Sequence, residues 1–97
     1  MKLAEFQELI EKTYFQRDFE RGVGGTFMWF VEEVGELATA IREGHDPEAL
    51  KGEFADVLAW LCTLASLSGI RMEDAIAKYA KGCPACKKLP CACSDKI

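Results

Sequence analysis

Residues 26–41, TFMWFVEEVGELATAI, place apolar side chains at the three- and four-residue spacing of an amphipathic helix. At about 100° per residue, the apolar side chains that fall within one arc of roughly 120° are Phe27, Phe30, Val31, Val34, Leu37, Ala38 and Ile41. We predict that this arc is the packing face. Glu33, Glu36 and Trp29 lie together beside it, and Glu32 is rotated further towards solvent. The pattern therefore puts a pair of carboxylates at the border of a helical core.

The helix that follows repeats this arrangement. Asp46 and Pro47 predict its start, because aspartate caps a helix and the N–H that proline lacks is not needed at the first helical position. Its apolar stripe comprises Leu50, Phe54, Val57, Leu58, Leu61, Leu64 and Ala65. Glu53, Asp56 and Trp60 line one edge of the stripe. Because the link EGHD is short, we expect the two helices to lie antiparallel and all four carboxylates to converge at their seam.

The whole chain reads as helices without any period-two alternation, so we predict an all-α bundle. The four predicted helices cover about residues 2–19, the segment from the N-cap Thr26 to a stop at Gly44, residues 47–68, and a short segment from Met72 to near Gly82. The sequence RGVGG separates the first helix from the second. We divide the chain into a helical domain, 1–82, and a cysteine-rich tail, 83–97.

Composition and charge limit the classes of function. With 97 residues, 49% hydrophobic and 29% charged, the chain fits one small globular domain. A chain of this size buries only about 60 to 65% of its unfolded surface, so we expect a homo-oligomer. The opening residues do not resemble a signal peptide and no apolar run would span a membrane, so we expect a cytoplasmic protein without a membrane partner. Residues 1–80 carry a net charge of −7 and residues 81–97 carry +3, which argues against nucleic acid and suits cation binding.

Four converging carboxylates repel one another and raise each other's pKa unless a cation neutralises them. No lysine or arginine lies three or four residues from Glu33 or Glu36. Oxygen ligands favour a hard cation such as Mg²⁺, Mn²⁺ or Ca²⁺. The alternative is a solvated acidic face, which is the usual role of charged helix positions. The only histidine, His45, lies in the link, which weakens a ferritin-like alternative because those proteins use Glu-x-x-His on two helices.

The acid motifs also carry a family resemblance. EEVGE, followed after sixteen residues by EFAD, resembles the E-x-x-E and E-x-x-D signature of the MazG-like nucleotide pyrophosphohydrolases, and the likeness covers roughly residues 3–82. It implies a helical fold assembled as a homodimer or homotetramer, and Mg²⁺-dependent (or Mn²⁺-dependent) hydrolysis of a nucleoside triphosphate to the monophosphate and pyrophosphate. The metal ligands that it implies are Glu33, Glu36, Glu53 and Asp56. A carboxylate not fully committed to metal would accept the proton of the attacking water, and Glu36 and Glu32 are both candidates.

Other side chains are candidates for substrate binding. Trp29 and Trp60 each lie four residues from an acid pair and could stack on a nucleobase, or else simply pack in the core. Lys78 resembles a lysine that family members place towards the phosphates, although a solvated surface lysine fits equally well. Arg17 and Arg21 are weaker candidates.

The tail sequence CPACKKLPCAC contains four closely spaced thiols, Cys83, Cys86, Cys91 and Cys93. In a reducing compartment this spacing favours Zn²⁺ over disulfides, and four thiolates close the coordination sphere, as in structural sites. A disordered or redox-active tail, an iron site and a site shared between subunits remain open. Cys62 lies apart and is expected to be an inert buried thiol. An alternative function is a non-catalytic helical interaction module whose working part is the zinc tail.

Overall fold

The computed structural model describes residues 1–94. All regular secondary structure within these residues is helical. Helix α1 spans Leu3–Arg42, α2 spans Pro47–Leu67, and α3 spans Met72–Ala75, followed by a 3₁₀ turn over Ile76–Tyr79. No strand occurs within the described residues, so the all-α prediction is confirmed. The end of the predicted tail, residues 95–97, lies outside the described part.

The break in α1 is confined to a single residue. Gly22 has φ 76° and ψ 177°, and helical geometry resumes immediately after it. Glycine adopts this positive φ without a Cβ penalty, so one residue turns the chain where the sequence predicted a loop over RGVGG. The predicted N-cap Thr26 is wrong, because its side chain is fully buried inside the helix and its hydroxyl accepts a hydrogen bond from Arg21 Nη1 at 3.2 Å. We call residues 3–21 the first arm of α1 and residues 23–42 its second arm.

Helix α2 begins where the sequence predicts. The Asp46 side chain accepts a hydrogen bond from the backbone N–H of Ala49 at 2.9 Å, and Pro47 occupies the first helical position. The predicted fourth helix is shorter than expected, since only four residues are α-helical before the 3₁₀ turn. The described residues therefore contain three α-helices rather than four, the first of them bent.

No single described helix is long and apolar enough to cross a membrane. By length and composition alone, the bent pair Pro47–Leu67 and Met72–Tyr79 meets that test, with 95° between the two helices.

The second arm of α1 and α2 lie antiparallel, as the short link predicts. Trp29 stacks on Trp60 with ring centroids 6.0 Å apart, and Glu33 meets Asp56 and Glu53, which come earlier in α2. Residues later in the second arm therefore contact residues earlier in α2, as in any antiparallel pair. This pairing brings both predicted acid motifs to one interhelical seam.

The surface of the second arm that packs on α2 is not the predicted apolar arc. Phe27 and Val31 in that arc are 53% and 52% exposed, whereas Ala40, on the acid-bearing flank, is 1% exposed. Phe54, in the predicted stripe of α2, is likewise 57% exposed. Periodicity identifies the apolar stripe of a helix, but it does not say which side of that helix its neighbour covers. Here α2 can cover only one side of the second arm. The flank that carries Glu33 faces α2, and the apolar arc is left largely uncovered.

A buried amide joins the first arm to the end of α2. Gln7 is fully buried; its Nε2 donates to Ser66 Oγ and to the Ile70 carbonyl, each at 3.0 Å, and its Oε1 accepts from the Met72 N–H at 2.8 Å. Every polar atom of this amide has a partner, so burial of the group carries little penalty. Gln7 thus fixes the first arm against the turn that leads into α3.

We expect Gln7→Ala to lower the free energy of unfolding by about 2 to 3 kcal/mol, because the change leaves buried polar groups of the turn without partners. Urea denaturation followed by circular dichroism measures the change. Gln16→Ala is the matched control, since Gln16 lies exposed on the same helix and its side chain hydrogen-bonds, within the described part of the chain, to Glu20 alone. Equal losses in the two variants would contradict the role assigned to Gln7.

Candidate functional site

Carboxylates from two helices meet in the seam between the second arm of α1 and α2. One carboxylate oxygen each from Glu33, Glu53 and Asp56 lies within 4.8 Å of the other two. Glu36 is outside this group of three but near enough to Glu33 to raise its pKa. The spacing i, i+3 puts both acids of each pair on one side of its helix, and antiparallel packing brings the two sides together. We call these four residues the carboxylate cluster.

The cluster has the electrostatics of an incomplete cation site. The Oε2 atoms of Glu33 and Glu53 are buried and have no hydrogen-bond partner among the described residues. In the same part of the chain, no salt bridge reaches any member of the cluster. Burial, followed by a hydrogen bond and negative charge from Glu36 and the charges of Asp56 and Glu53, raises the pKa of Glu33 to about 7. Since buried acceptors normally have partners, an oxygen-binding cation fits this donor set.

The raised pKa of Glu33 predicts a pH dependence of stability for the metal-free protein. The ordinary pKa is 4.5 and the folded value about 7, so between these values the folded state binds more protons than the unfolded state. The contribution of Glu33 to the free energy of unfolding therefore falls as pH rises through this interval and levels off above it. Urea denaturation in EDTA across this range should show a smaller fall for Glu33→Gln than for the wild type. Parallel curves would show that Glu33 does not titrate there.

A pocket of about 260 Å³ adjoins the cluster on the side of the first arm. Its lining residues are Ile10, Tyr14, Arg17, Asp18, Arg21, Asp56, Ala59, Trp60 and Thr63. Asp56 belongs to both the pocket and the carboxylate cluster. The pocket thus joins the acidic seam to two arginines and two aromatic side chains.

A buried ion pair forms part of the pocket wall. Asp18 is 7% exposed; its carboxylate pairs with Arg21 Nη1 at 3.0 Å and accepts a hydrogen bond from the Thr63 hydroxyl at 3.3 Å. The Arg21 guanidinium also lies 4.8 Å from the ring centroid of Trp60. Such a connected network holds its side chains in one arrangement. Asp18 was not among the residues predicted from the sequence, although the i, i+3 spacing of Asp18 and Arg21 is the signal that could have revealed the pair.

Comparison with known proteins agrees with this geometry. The model of the MazG nucleotide pyrophosphohydrolase domain matches residues 24–87, which include both acid pairs. The chain belongs to the MazG nucleotide pyrophosphohydrolase family. It is also 38% identical over 74 residues, 76% of its length, to a dATP/dGTP diphosphohydrolase of cyanophage S-2L. The chain spans 66% of the length of that relative.

The MazG match begins in the second arm of α1 and continues through α2, α3, the 3₁₀ turn and the first two tail cysteines, but it does not include the first arm. More than half of the residues that line the pocket, including Arg17 and Arg21, therefore precede the matched segment. Arg17 forms no salt bridge with any described residue, whereas Arg21 is held by Asp18. Both arginines were weaker candidates in the sequence analysis, because no local sequence pattern indicates that the first arm folds over α2.

Two of the substrate-binding residues predicted from the sequence lie at this candidate site and one lies elsewhere. Trp29 and Trp60 stack on each other with an interplanar angle of 13°, and Trp60 lines the pocket. Lys78 lies beside the cysteine tail, with its Nζ 5.4 Å from the ring centroid of Tyr79. Glu32 is exposed and does not belong to the carboxylate cluster. A nucleotide-binding role for each of these residues stays a prediction.

The tail cysteines form a second candidate metal site, which extends past the end of the MazG match. The Sγ atoms of Cys83, Cys86, Cys91 and Cys93 all lie within 4.8 Å of one another, and all four are free thiols. Hydrogen bonds from the backbone N–H groups of Cys86 and Ala85 lower the pKa of Cys83 to about 6. Four sulfur donors at this spacing could hold a metal ion. Cys62, in contrast, is fully buried in α2, and burial raises the pKa of its thiol.

Proposed function

We propose that this protein hydrolyses a nucleoside triphosphate or deoxynucleoside triphosphate to the monophosphate and pyrophosphate. The observation that carries the proposal is the group of Glu33, Glu53 and Asp56 with its buried, unpartnered oxygens, in a chain of the MazG family. The relative from cyanophage S-2L is named for action on dATP and dGTP, which makes purine deoxynucleotides the first substrates to test.

Mg²⁺, or Mn²⁺ in its place, is the cofactor that fits the donor set. Glu33, Glu36, Glu53 and Asp56 would hold it, because their oxygens are hard ligands that lack other cations within the described structure. When bound, the ion would offset the negative charge of the phosphates and polarise a phosphoryl oxygen.

We assign Glu36 as the general base that takes a proton from the attacking water, with Glu32 as the alternative. Glu36 adjoins the Glu33 carboxyl yet is itself exposed, so it can contact a water beside the cluster. A general base must lie within hydrogen-bond reach of the proton it removes. Glu32 is also exposed but shows no contact with the cluster.

The pocket supplies groups for the rest of the nucleotide. Arg17 is exposed, forms no ion pair with a described residue and lines the same pocket as Asp56, so its guanidinium can bind phosphate oxygens. The Trp29 and Trp60 pair offers an aromatic surface for a nucleobase. The pocket volume of about 260 Å³ is below the usual range of small-molecule sites, so a second copy would complete the binding site.

A homodimer or homotetramer follows from the uncovered apolar surface of α1 and α2. Phe27, Val31 and Phe54 are each more than half exposed, and patches of this kind mark association surfaces. We propose that two copies pack these stripes together, which would make a four-helix core from the two long helices of each chain. Light scattering during size-exclusion chromatography measures the mass, and a monomer at all concentrations would contradict the assembly.

We also propose Zn²⁺ as the ion of the four tail cysteines, because a closed set of four thiolates is typical of structural zinc. Unpaired cysteines at this spacing suit a reducing compartment, and we propose the cytoplasm.

The experiment that tests the activity is a substrate panel. Purified protein with Mg²⁺ is incubated with each common NTP and dNTP, and pyrophosphate release is measured. We expect turnover of at least one nucleotide, with EDTA abolishing it. No turnover of any nucleotide by folded, oligomeric, Mg²⁺-supplied protein would refute the proposal and favour a non-catalytic interaction module.

A further inference from the structure

The sulfur atoms of the tail have the dimensions of one tetrahedral metal site. Cys83 Sγ lies 3.7 Å from Cys93 Sγ, and all four sulfurs are mutually within 4.8 Å. Zinc–sulfur bonds of about 2.3 Å in tetrahedral geometry separate the sulfurs by about 3.8 Å. A single ion would therefore need only small movements of these side chains to bind all four.

Backbone hydrogen bonds hold the two cysteine pairs in place. The N–H of Ala92 donates to Cys86 Sγ and that of Cys93 donates to Cys91 Sγ, each at 3.3 Å. Donors of this kind stabilise thiolate ligands and fix their orientation. The N–H of Cys83 also donates to the Lys88 carbonyl at 3.0 Å, which closes the loop between the two pairs.

Gly82 allows the backbone to approach itself closely at the start of this loop. Its φ is 97°, and a Cβ at this position would lie 2.6 Å from the Lys88 carbonyl oxygen. Any other residue would be strained there and would collide with backbone rather than with a flexible side chain. The close approach is what brings the C-x-x-C pair beside the C-x-C pair.

The surroundings of the sulfurs complement the charge of a zinc tetrathiolate. Four thiolates and Zn²⁺ carry a net charge of −2, and Lys78 and Lys88 line the same cavity as Cys83, Cys91 and Cys93. The cavity has a volume of about 730 Å³, and Tyr79 of the 3₁₀ turn forms another part of its wall. The N–H of Gly82 donates to the Tyr79 carbonyl at 3.0 Å, so the loop continues directly from that turn.

We infer that residues 82–93 form a structural zinc knuckle that is complete within one chain and orders the turn Ile76–Tyr79. One chain brings all four sulfurs together, so a site within a single chain needs no ligand from a partner subunit. Four cysteines leave no open position for a substrate, so the role is structural. The inference rests on the proposed zinc but not on the proposed hydrolysis, since its readouts are metal content and folding.

Metal analysis of the full-length protein tests the ligand set. We expect one zinc per chain in wild type, and at least a tenfold loss in Cys83→Ser and Cys93→Ser. Cys62→Ser is the matched control and should keep its zinc, because Cys62 is buried in α2 away from the tail. Iron in place of zinc, metal-free wild type, or zinc retained in both tail variants would overturn the inference.

Mixing two double variants tests whether one chain suffices. Cys83→Ser/Cys86→Ser and Cys91→Ser/Cys93→Ser chains, co-expressed with different tags and purified as a hetero-oligomer, hold complementary halves of the site. A site within one chain predicts that the mixture binds less than a tenth of the wild-type zinc. Recovery towards half a zinc per chain would show that the site is shared between subunits.

Hydrogen exchange tests the effect on the turn and does not depend on activity. In Cys83→Ser, amides of residues 76–93 should exchange at least tenfold faster, while those of α2 keep their wild-type rates. Unchanged exchange at Ile76–Tyr79 would refute the ordering of the turn, and faster exchange throughout α2 would refute a separate knuckle. Absence of pyrophosphate release by wild type that binds zinc and shows the expected exchange would contradict only the proposed hydrolysis.

Discussion

Glu53→Gln and Asp56→Asn are each expected to lower kcat/KM for pyrophosphate release by about 10²- to 10³-fold, the size seen when a preorganised charge-stabilising group is removed. Both substitutions keep the size of the side chain and remove its negative charge. Glu53 contributes a buried oxygen without a partner, and Asp56 joins the cluster to the pocket. Steady-state kinetics with the preferred nucleotide and saturating Mg²⁺ measure the effect.

The control for these variants is Glu48→Gln. Glu48 lies on the same helix but is exposed, and Lys51 is its one ion-pair partner among residues 1–94, so its loss should change kcat/KM less than twofold. Circular dichroism should show the helical content of wild type in all three proteins. Wild-type kinetics in the folded Glu53→Gln/Asp56→Asn double variant would show that the carboxylate cluster takes no part in the reaction.

Mg²⁺ at a hundred times its dissociation constant is expected to raise the melting temperature by roughly 10 to 20 °C. An ion that binds only the folded state stabilises it by about 2.7 kcal/mol at a hundred times its dissociation constant, and about 1 kcal/mol shifts the Tm of a domain this size by 4 to 8 °C. The gain comes from offsetting the burial and the neighbouring negative charges that together raise the pKa of Glu33. Thermal unfolding with MgCl₂, compared with NaCl at equal ionic strength, measures it.

The Glu33→Gln/Glu53→Gln variant separates this binding from general salt effects. It removes both buried unpartnered carboxylate oxygens, so Mg²⁺ should shift its Tm by no more than NaCl does. An equal rise in wild type and variant would place the bound ion elsewhere.

The features that the sequence predicted correctly are those set by local chemistry. The start of α2 follows from Asp46 and Pro47, whose capping roles depend only on neighbouring residues. The meeting of Glu33 with Glu53 and Asp56 follows from i, i+3 spacing and a link too short for any pairing but an antiparallel one. The cysteine group likewise depends on thiols close in sequence.

The features that the sequence predicted wrongly or missed depend on non-local packing. Periodicity located the stripe that contains Val31, but not that α2 covers the adjacent flank instead. Three glycines marked a break, but not that Gly22 alone would take the positive φ. The pocket with Arg17 exists because the first arm lies over α2, a contact between distant segments that no local pattern specifies.

Identifying which phosphoanhydride bond of the nucleotide is broken tests the central claim most directly. A ³¹P NMR time course of the preferred triphosphate with protein and Mg²⁺ distinguishes the products without any coupling enzyme. We predict pyrophosphate and the nucleoside monophosphate rising in equal amounts, with no diphosphate at any time. Accumulation of the nucleoside diphosphate and orthophosphate would contradict cleavage between the α and β phosphates, and with it the function proposed for the carboxylate cluster.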